Sequence, residues 1–153
     1  MAKIINGQDV PNLPWEEMPE GYTLPVWRYT KNPITKRNQF PHIERIFNSA
    51  LVPFNGEFAG VFRCDMTDGY LKLFVGHSKD GYNIELEKEP LHFVDLNGKP
   101  LTDRLWGYDP RVLKLEDEYF VVWCDEVGVG PTIGIAKTKD FKTFYKYDAP
   151  FIP

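Results

Sequence analysis

Asp109 is the residue best placed to do chemistry: it precedes Pro110, which stiffens the backbone, and is flanked by Tyr108 and Arg111. A hydroxyl and a guanidinium beside a carboxyl set its protonation state, which is what proton transfer to a bound ligand requires. The dipeptide Asp-Pro is equally an ordinary turn, and the local sequence leaves both readings open. Asn48 lies 61 positions earlier, in the segment Arg45-Ile-Phe-Asn-Ser-Ala50, which stands to its surroundings as Gly107-Tyr-Asp-Pro-Arg-Val112 stands to its own. Arg63 ends an apolar run, either to meet a ligand or to cap a sheet edge.

These residues need a scaffold, and an internal repeat describes one. The stretch Gly56-Glu-Phe-Ala-Gly-Val-Phe-Arg-Cys-Asp65, a polar turn at Asp68-Gly69 and Tyr70-Leu-Lys-Leu-Phe-Val-Gly-His-Ser-Lys-Asp80 form the first copy. About 60 residues later come Asp117-Glu-Tyr-Phe-Val-Val-Trp-Cys-Asp125, a Gly-rich turn and Thr132-Ile-Gly-Ile-Ala-Lys-Thr-Lys-Asp140. Each copy is preceded by an apolar strand, Ala50–Phe54 or Arg111–Leu115, joined through Asn55-Gly56 or Glu116-Asp117. Each ends in an aromatic strand, near Leu91–Val94 or Phe144–Tyr147. Four antiparallel strands in a meander describe a propeller blade, so the expected class is all-β. The expected layout is an extended, aromatic and Pro-rich lead-in over 1–44, a first blade over 45–105 and a second over 106–153. A polar residue where the innermost strand of a blade begins reaches the mouth of the central channel, where Asn48 and Asp109 fall. Two blades leave apolar faces open, so further blades or self-association are expected to cover them.

The net charge of −4, with 18 basic residues scattered along the chain, gives no footprint for nucleic acid. The start of the sequence lacks the apolar core of a secretory signal and no stretch is long enough to span a bilayer, so a cytoplasmic protein is expected. Cys64 and Cys124 are read as buried thiols in corresponding places of the two repeats. Without a Cys-x-x-Cys pair, and with His42, His77 and His92 scattered, no metal site is expected. Gly128-x-Gly130-Pro131 is followed by no helix and reads as a turn rather than a phosphate loop.

The order Arg45-x-x-Asn48-Ser49-Ala50, Asn55-Gly56 with Phe62-Arg63, Tyr108-Asp109-Pro110-Arg111-Val112 and Trp123-Cys124-Asp125-Glu126 resembles glycoside hydrolase family 130. Trp27-Arg28-Tyr29-x-x-Asn32-Pro33-Ile34 is similar to the lead-in of that family. The likeness covers most of this chain but only the first part of a family member. It implies a five-bladed propeller and a phosphorylase of β-1,4-mannosides, with inorganic phosphate as co-substrate and no organic cofactor. By the resemblance Asp109 matches the proton donor, and Asn48, Ser49 and Arg63 match residues that hold the sugar being cleaved. Tyr108, Arg45 and Arg111 are further candidates, the two arginines either pairing with Asp109 or binding backbone carbonyls in support. The alternatives are a hydrolase of mannosides or furanosides on the same architecture, and a carbohydrate-binding piece without catalytic function. The cations that hold phosphate in the family lie downstream of the segment resembled, so the 153-residue chain is expected to be inactive in isolation.

Overall fold

A computed structural model of the chain describes residues 13–14, 16–102, 106–126 and 130–148. Their regular elements are all strands: β1 (Ile43–Phe54), β2 (Glu57–Met66), β3 (Leu71–Ser78), β4 (Glu85–Leu86), β5 (Phe93–Val94), β6 (Tyr108–Leu115), β7 (Glu118–Glu126), β8 (Pro131–Thr138) and β9 (Phe144–Lys146). One sheet has the order β1-β2-β3-β4, the other β5-β9-β8-β7-β6. The expected hairpins are present. Asn55 and Gly56, at φ 50° and 79°, join Phe54 to its partner Glu57, the left-handed pair that a two-residue hairpin requires. Glu116-Asp117 joins Leu115 to its partner Glu118, with Glu116 of the two at positive φ, 56°. Asp68 and Gly69 form an exposed turn between β2 and β3, whereas Gly128 and Val129 lie outside the described residues.

Two expectations are corrected. The strand near Leu91–Val94 does not close the first sheet: β5 pairs in parallel with β9, and the fourth strand of the first sheet is β4. In this place the Phe93 ring stacks on Trp123 at 4.6 Å and 15°, a contact that favours its departure from its own repeat. The second correction concerns the cysteines. Cys64 opposes Ile46, while Cys124 opposes Tyr108, the counterpart of Phe47, which itself opposes Arg63. Cys124 therefore matches Arg63, and since one step along a strand changes the face, Cys64 is fully buried and Cys124 half-buried. Burial, with the charge of Asp65 adding to it, pushes the Cys64 thiol up to about 12.

The two sheets pack face to face. Ala59, Val61, Leu73, Val75 and Leu91 of the first half meet Tyr119, Val121, Trp123, Ala136, Phe141 and Phe144 of the second. The Tyr119 hydroxyl donates to the Pro53 carbonyl at 3.1 Å across this boundary. Gly134 is required opposite Trp123, because a Cβ there would lie 2.2 Å from the indole. The far face of the first sheet buries Ile43, Phe62, Cys64, Phe74 and Ile84, and Phe40 of the lead-in packs against them. Tyr29 of the lead-in meets Tyr82 edge-on at 5.5 Å. The far face of the second sheet stays open, with Leu113 65%, Leu115 56% and Ile133 41% exposed.

The repeat also explains the two Lys-Asp endings. Asp80 accepts from the Tyr82 and Asn83 amides at 2.9 and 2.7 Å and from the Ser78 hydroxyl at 3.2 Å. Asp140 accepts from the Lys142 and Thr143 amides, both at 2.8 Å, and from the Thr138 hydroxyl at 3.1 Å. Each carboxylate thus closes the turn after its strand. The amides of Asn83 and Tyr82 lead in holding Asp80 at about 2, below its ordinary 3.8. A depressed carboxyl stabilises the fold above its unfolded pKa and loses that contribution as pH falls through the folded value. The stability advantage of the wild type over Asp80→Asn is therefore expected to shrink as pH falls through about 4 and to vanish only below about pH 2, read by denaturant melts across that range. An advantage independent of pH would contradict this role.

Candidate active site

β1 and β6, edge strands of the two sheets, lie against each other, and β6 also reaches β2 and β3. Both carry the same irregularity. In β1 the register shifts between Phe47 and Ala50, so Asn48 and Ser49 together face Phe62. In β6 it shifts between Tyr108 and Arg111, so Asp109 and Pro110 together face Trp123. These are β-bulges, which bend a strand and re-aim a side chain. Asn48 and Asp109 sit in them at φ 28° and 53°. Asn and Asp are the non-glycine residues that best tolerate positive φ, so residue type serves backbone and chemistry together.

The bulges bring side chains from three strands to one point. Nη1 of Arg63 donates to Oδ1 of Asp109 at 2.8 Å, and Nε of Arg63 donates to Oδ1 of Asp65 at 3.0 Å. The rings of Phe47 and Tyr108 lie against the guanidinium, each with its centroid 5.4 Å from Cζ. Arg63 is 20% and Asp109 35% exposed, so the pair is reachable but partly shielded. Burial works to raise the pKa of Asp109, and hydrogen bonds from Arg63 and Asn48, with the charges of Arg63 and Arg111, outweigh it and hold the carboxyl below its ordinary value. For Tyr108, a hydrogen bond with Cys124 leads in pushing the phenol up.

Of the residues singled out in the sequence, Asp109, Asn48, Arg63 and Tyr108 meet in this cluster. Ser49 stands beside it, exposed, with its hydroxyl donating to the Phe47 carbonyl at 2.9 Å. Arg111 binds the Pro110 carbonyl at 2.8 Å and reaches Asp109 by charge alone. Arg45 pairs with Glu44 at 3.3 Å and lies over the Phe47 ring at 5.7 Å, so the structure pairs it with Glu44 and not with Asp109. Sequence reasoning missed Phe47 and Asp65. The alternation Ala59-Val61-Arg63-Asp65 signals the latter, since residues two apart share a strand face and this face runs from the intersheet core to its polar rim. Among the described residues no group of three His, Cys, Asp or Glu side chains is arranged to hold a metal.

The model of the family described as beta-1,4-mannooligosaccharide phosphorylase, glycoside hydrolase family 130, matches residues 7–153. The chain belongs to glycoside hydrolase family 130. Among its family-130 relatives, the Beta-1,4-mannooligosaccharide phosphorylase of Ruminococcus albus is 43% identical over 157 residues, which cover 99% of this chain and 47% of the relative. The chain thus spans about half the length of that protein. The solved Beta-1,2-Mannobiose phosphorylase of Listeria innocua superposes with a TM-score of 0.60 at 17% identity, over 85% of this chain and 52% of that one. A GH43_1 enzyme of Xanthomonas citri gives a TM-score of 0.52 at 15% identity, over 71% and 33%. These likenesses show the fold: all-β, of the five-bladed propeller type, with the family-130 chain covering part of it.

Proposed function

We propose that this chain supplies the acid and the sugar-holding groups of a phosphorylase that cleaves β-1,4-mannosides. The observation that carries the reading is the Asp109–Arg63 ion pair, with Asn48 beside it, where the bulged edge strands β1 and β6 converge. Amide and guanidinium donors are the groups that fix sugar hydroxyls, and a neighbouring carboxyl can protonate a departing glycosidic oxygen. A phosphate oxygen forms the new bond to the anomeric carbon from the opposite face as the glycosidic bond breaks. The proton of Asp109 reaches the leaving oxygen by way of the mannosyl 3-hydroxyl. The products are α-mannose 1-phosphate and a sugar chain one unit shorter.

The electrostatics fit a carboxyl that takes up its proton more readily in the complex than in the free protein. With Arg63 and Asn48 on it, Asp109 is held ionised. A mannosyl unit that draws those donors onto its own hydroxyls removes the main causes of the depression, so the carboxyl takes up a proton more readily in the complex than in the free protein. Phosphate needs a convergent group of cations, which the family resemblance places on other blades. In this reading inorganic phosphate is the co-substrate, no organic cofactor is required, and the protein works in the cytoplasm, where unpaired cysteines such as Cys64 and Cys124 are the rule.

The test is incubation of the full-length protein with β-1,4-mannobiose, with and without inorganic phosphate. Mannose 1-phosphate is expected, and only when phosphate is present. Release of free mannose without phosphate replaces the reading by hydrolysis, and no cleavage in either condition overturns it.

A further inference from the structure

We infer that Asp65 is a positioning residue that keeps Arg63 from closing on Asp109 with both prongs of its guanidinium. The inference rests on the proposed role of Asp109 as proton donor. Arg63 and Asp65 project from the same face of β2, and Asp65 takes the Nε edge at 3.0 Å. That leaves Nη1 to make a single bond to one oxygen of Asp109 at 2.8 Å, with Phe47 and Tyr108 against the guanidinium faces. Without Asp65 the favoured pairing is the two-pronged one, because fork-to-fork contact is the stronger form of the arginine–carboxylate bond. Such a contact engages both carboxyl oxygens and favours the ionised form, the opposite of what an acid needs. The negative charge of Asp65 also offsets part of the positive charge that Asp109 feels.

Among the described residues, the charged and titratable groups around Asp109 are Arg63 and Asp65 of β2, Tyr108 and Arg111 of β6, and Cys124 of β7, while β1 contributes the Asn48 amide. Of these, Asp65 alone binds the guanidinium from the side away from Asp109. In the full-length protein Asp65→Ala is expected to move the alkaline limb of the kcat profile down by about one pH unit. At pH values above that limb a one-unit fall lowers the protonated fraction, and with it kcat, about tenfold, with KM changed much less. Asp65→Asn, which keeps an acceptor for Nε and the side-chain shape, falls between the two and covers the case in which Asp65→Ala does not fold. Wild-type kcat with an unmoved limb in the folded variant overturns the inference. If the wild type cleaves no mannoside, the functional reading fails on its own. The carboxyl ¹³C titration of Asp109 in wild type and Asp65→Ala then decides this point: a fall in its midpoint supports the inference and an unchanged midpoint overturns it.

Discussion

Asp109→Asn is expected to lower turnover of β-1,4-mannobiose by about 10²-fold or more in the full-length protein, the scale of losing a general acid. The substitution isolates the proton. Asparagine has the shape of aspartate and tolerates the φ of 53° that the bulge imposes, so the backbone has no reason to move. Its amide oxygen still accepts from Nη1 of Arg63, but the group cannot supply a proton to a leaving oxygen. The ion pair that disappears is partly solvent-exposed and is worth no more than about 1 kcal/mol, so thermal stability is expected to change little. KM is expected to stay near the wild-type value because Asn48 and Arg63 remain. Turnover equal to wild type, with the fold intact, would remove Asp109 from the chemistry.

Phe141→Ala is expected to be the most damaging single change to stability, at about 3–5 kcal/mol. Phe141 is 1% exposed and joins the two sheets, with its ring 5.1 Å from Phe54 of β1, 4.9 Å from Tyr119 of β7 and 6.3 Å from Phe144 of β9. It does so from a left-handed backbone, φ 54°, at the place where the first repeat has Gly81 with φ 68°. The second repeat thus accepts a backbone cost of about 1–2 kcal/mol to bury an aromatic ring at the boundary. Two consequences separate ring from backbone. Phe141→Ala loses the ring and keeps the strain, whereas Phe141→Gly loses both and is expected to be the more stable of the two by up to about 1 kcal/mol. Urea denaturation of both variants measures this. A loss under about 1 kcal/mol for Phe141→Ala would show that the ring does not hold the sheets together.

Much of this architecture was legible because the signals were local. Asn55-Gly56 specifies a hairpin by backbone chemistry, and the short apolar runs in Glu57–Met66 and Glu118–Glu126, bounded by turn residues, specify buried strands. β5 was misplaced because two residues carry no period, and their partner is chosen by the stacking of Phe93 on Trp123, a tertiary event. The correspondence of Cys64 with Cys124 followed residue identity at a spacing of 60, while the bulges align the sheets at 61, the spacing of Asn48 and Asp109. Asn48 and Asp109 therefore stand at equivalent bulges, although no pattern in the sequence announces a bulge. The meeting of Asp109 with Arg63 of the other sheet follows from sheet-on-sheet packing, which alternation along one strand does not encode. Arg45, three residues from Asn48 in sequence, lies instead with Glu44 and over the Phe47 ring.

The central claim is that Asp109 delivers the proton to the leaving oxygen, and leaving-group dependence tests it most directly. A β-mannoside of 2,4-dinitrophenol departs without protonation, whereas mannobiose does not. Comparing wild type with Asp109→Asn on both substrates in the presence of phosphate, the account predicts a loss of about 10²-fold or more on mannobiose and near-wild-type release of dinitrophenolate. Equal losses on the two substrates would show that Asp109 serves binding or folding and does not act as the acid.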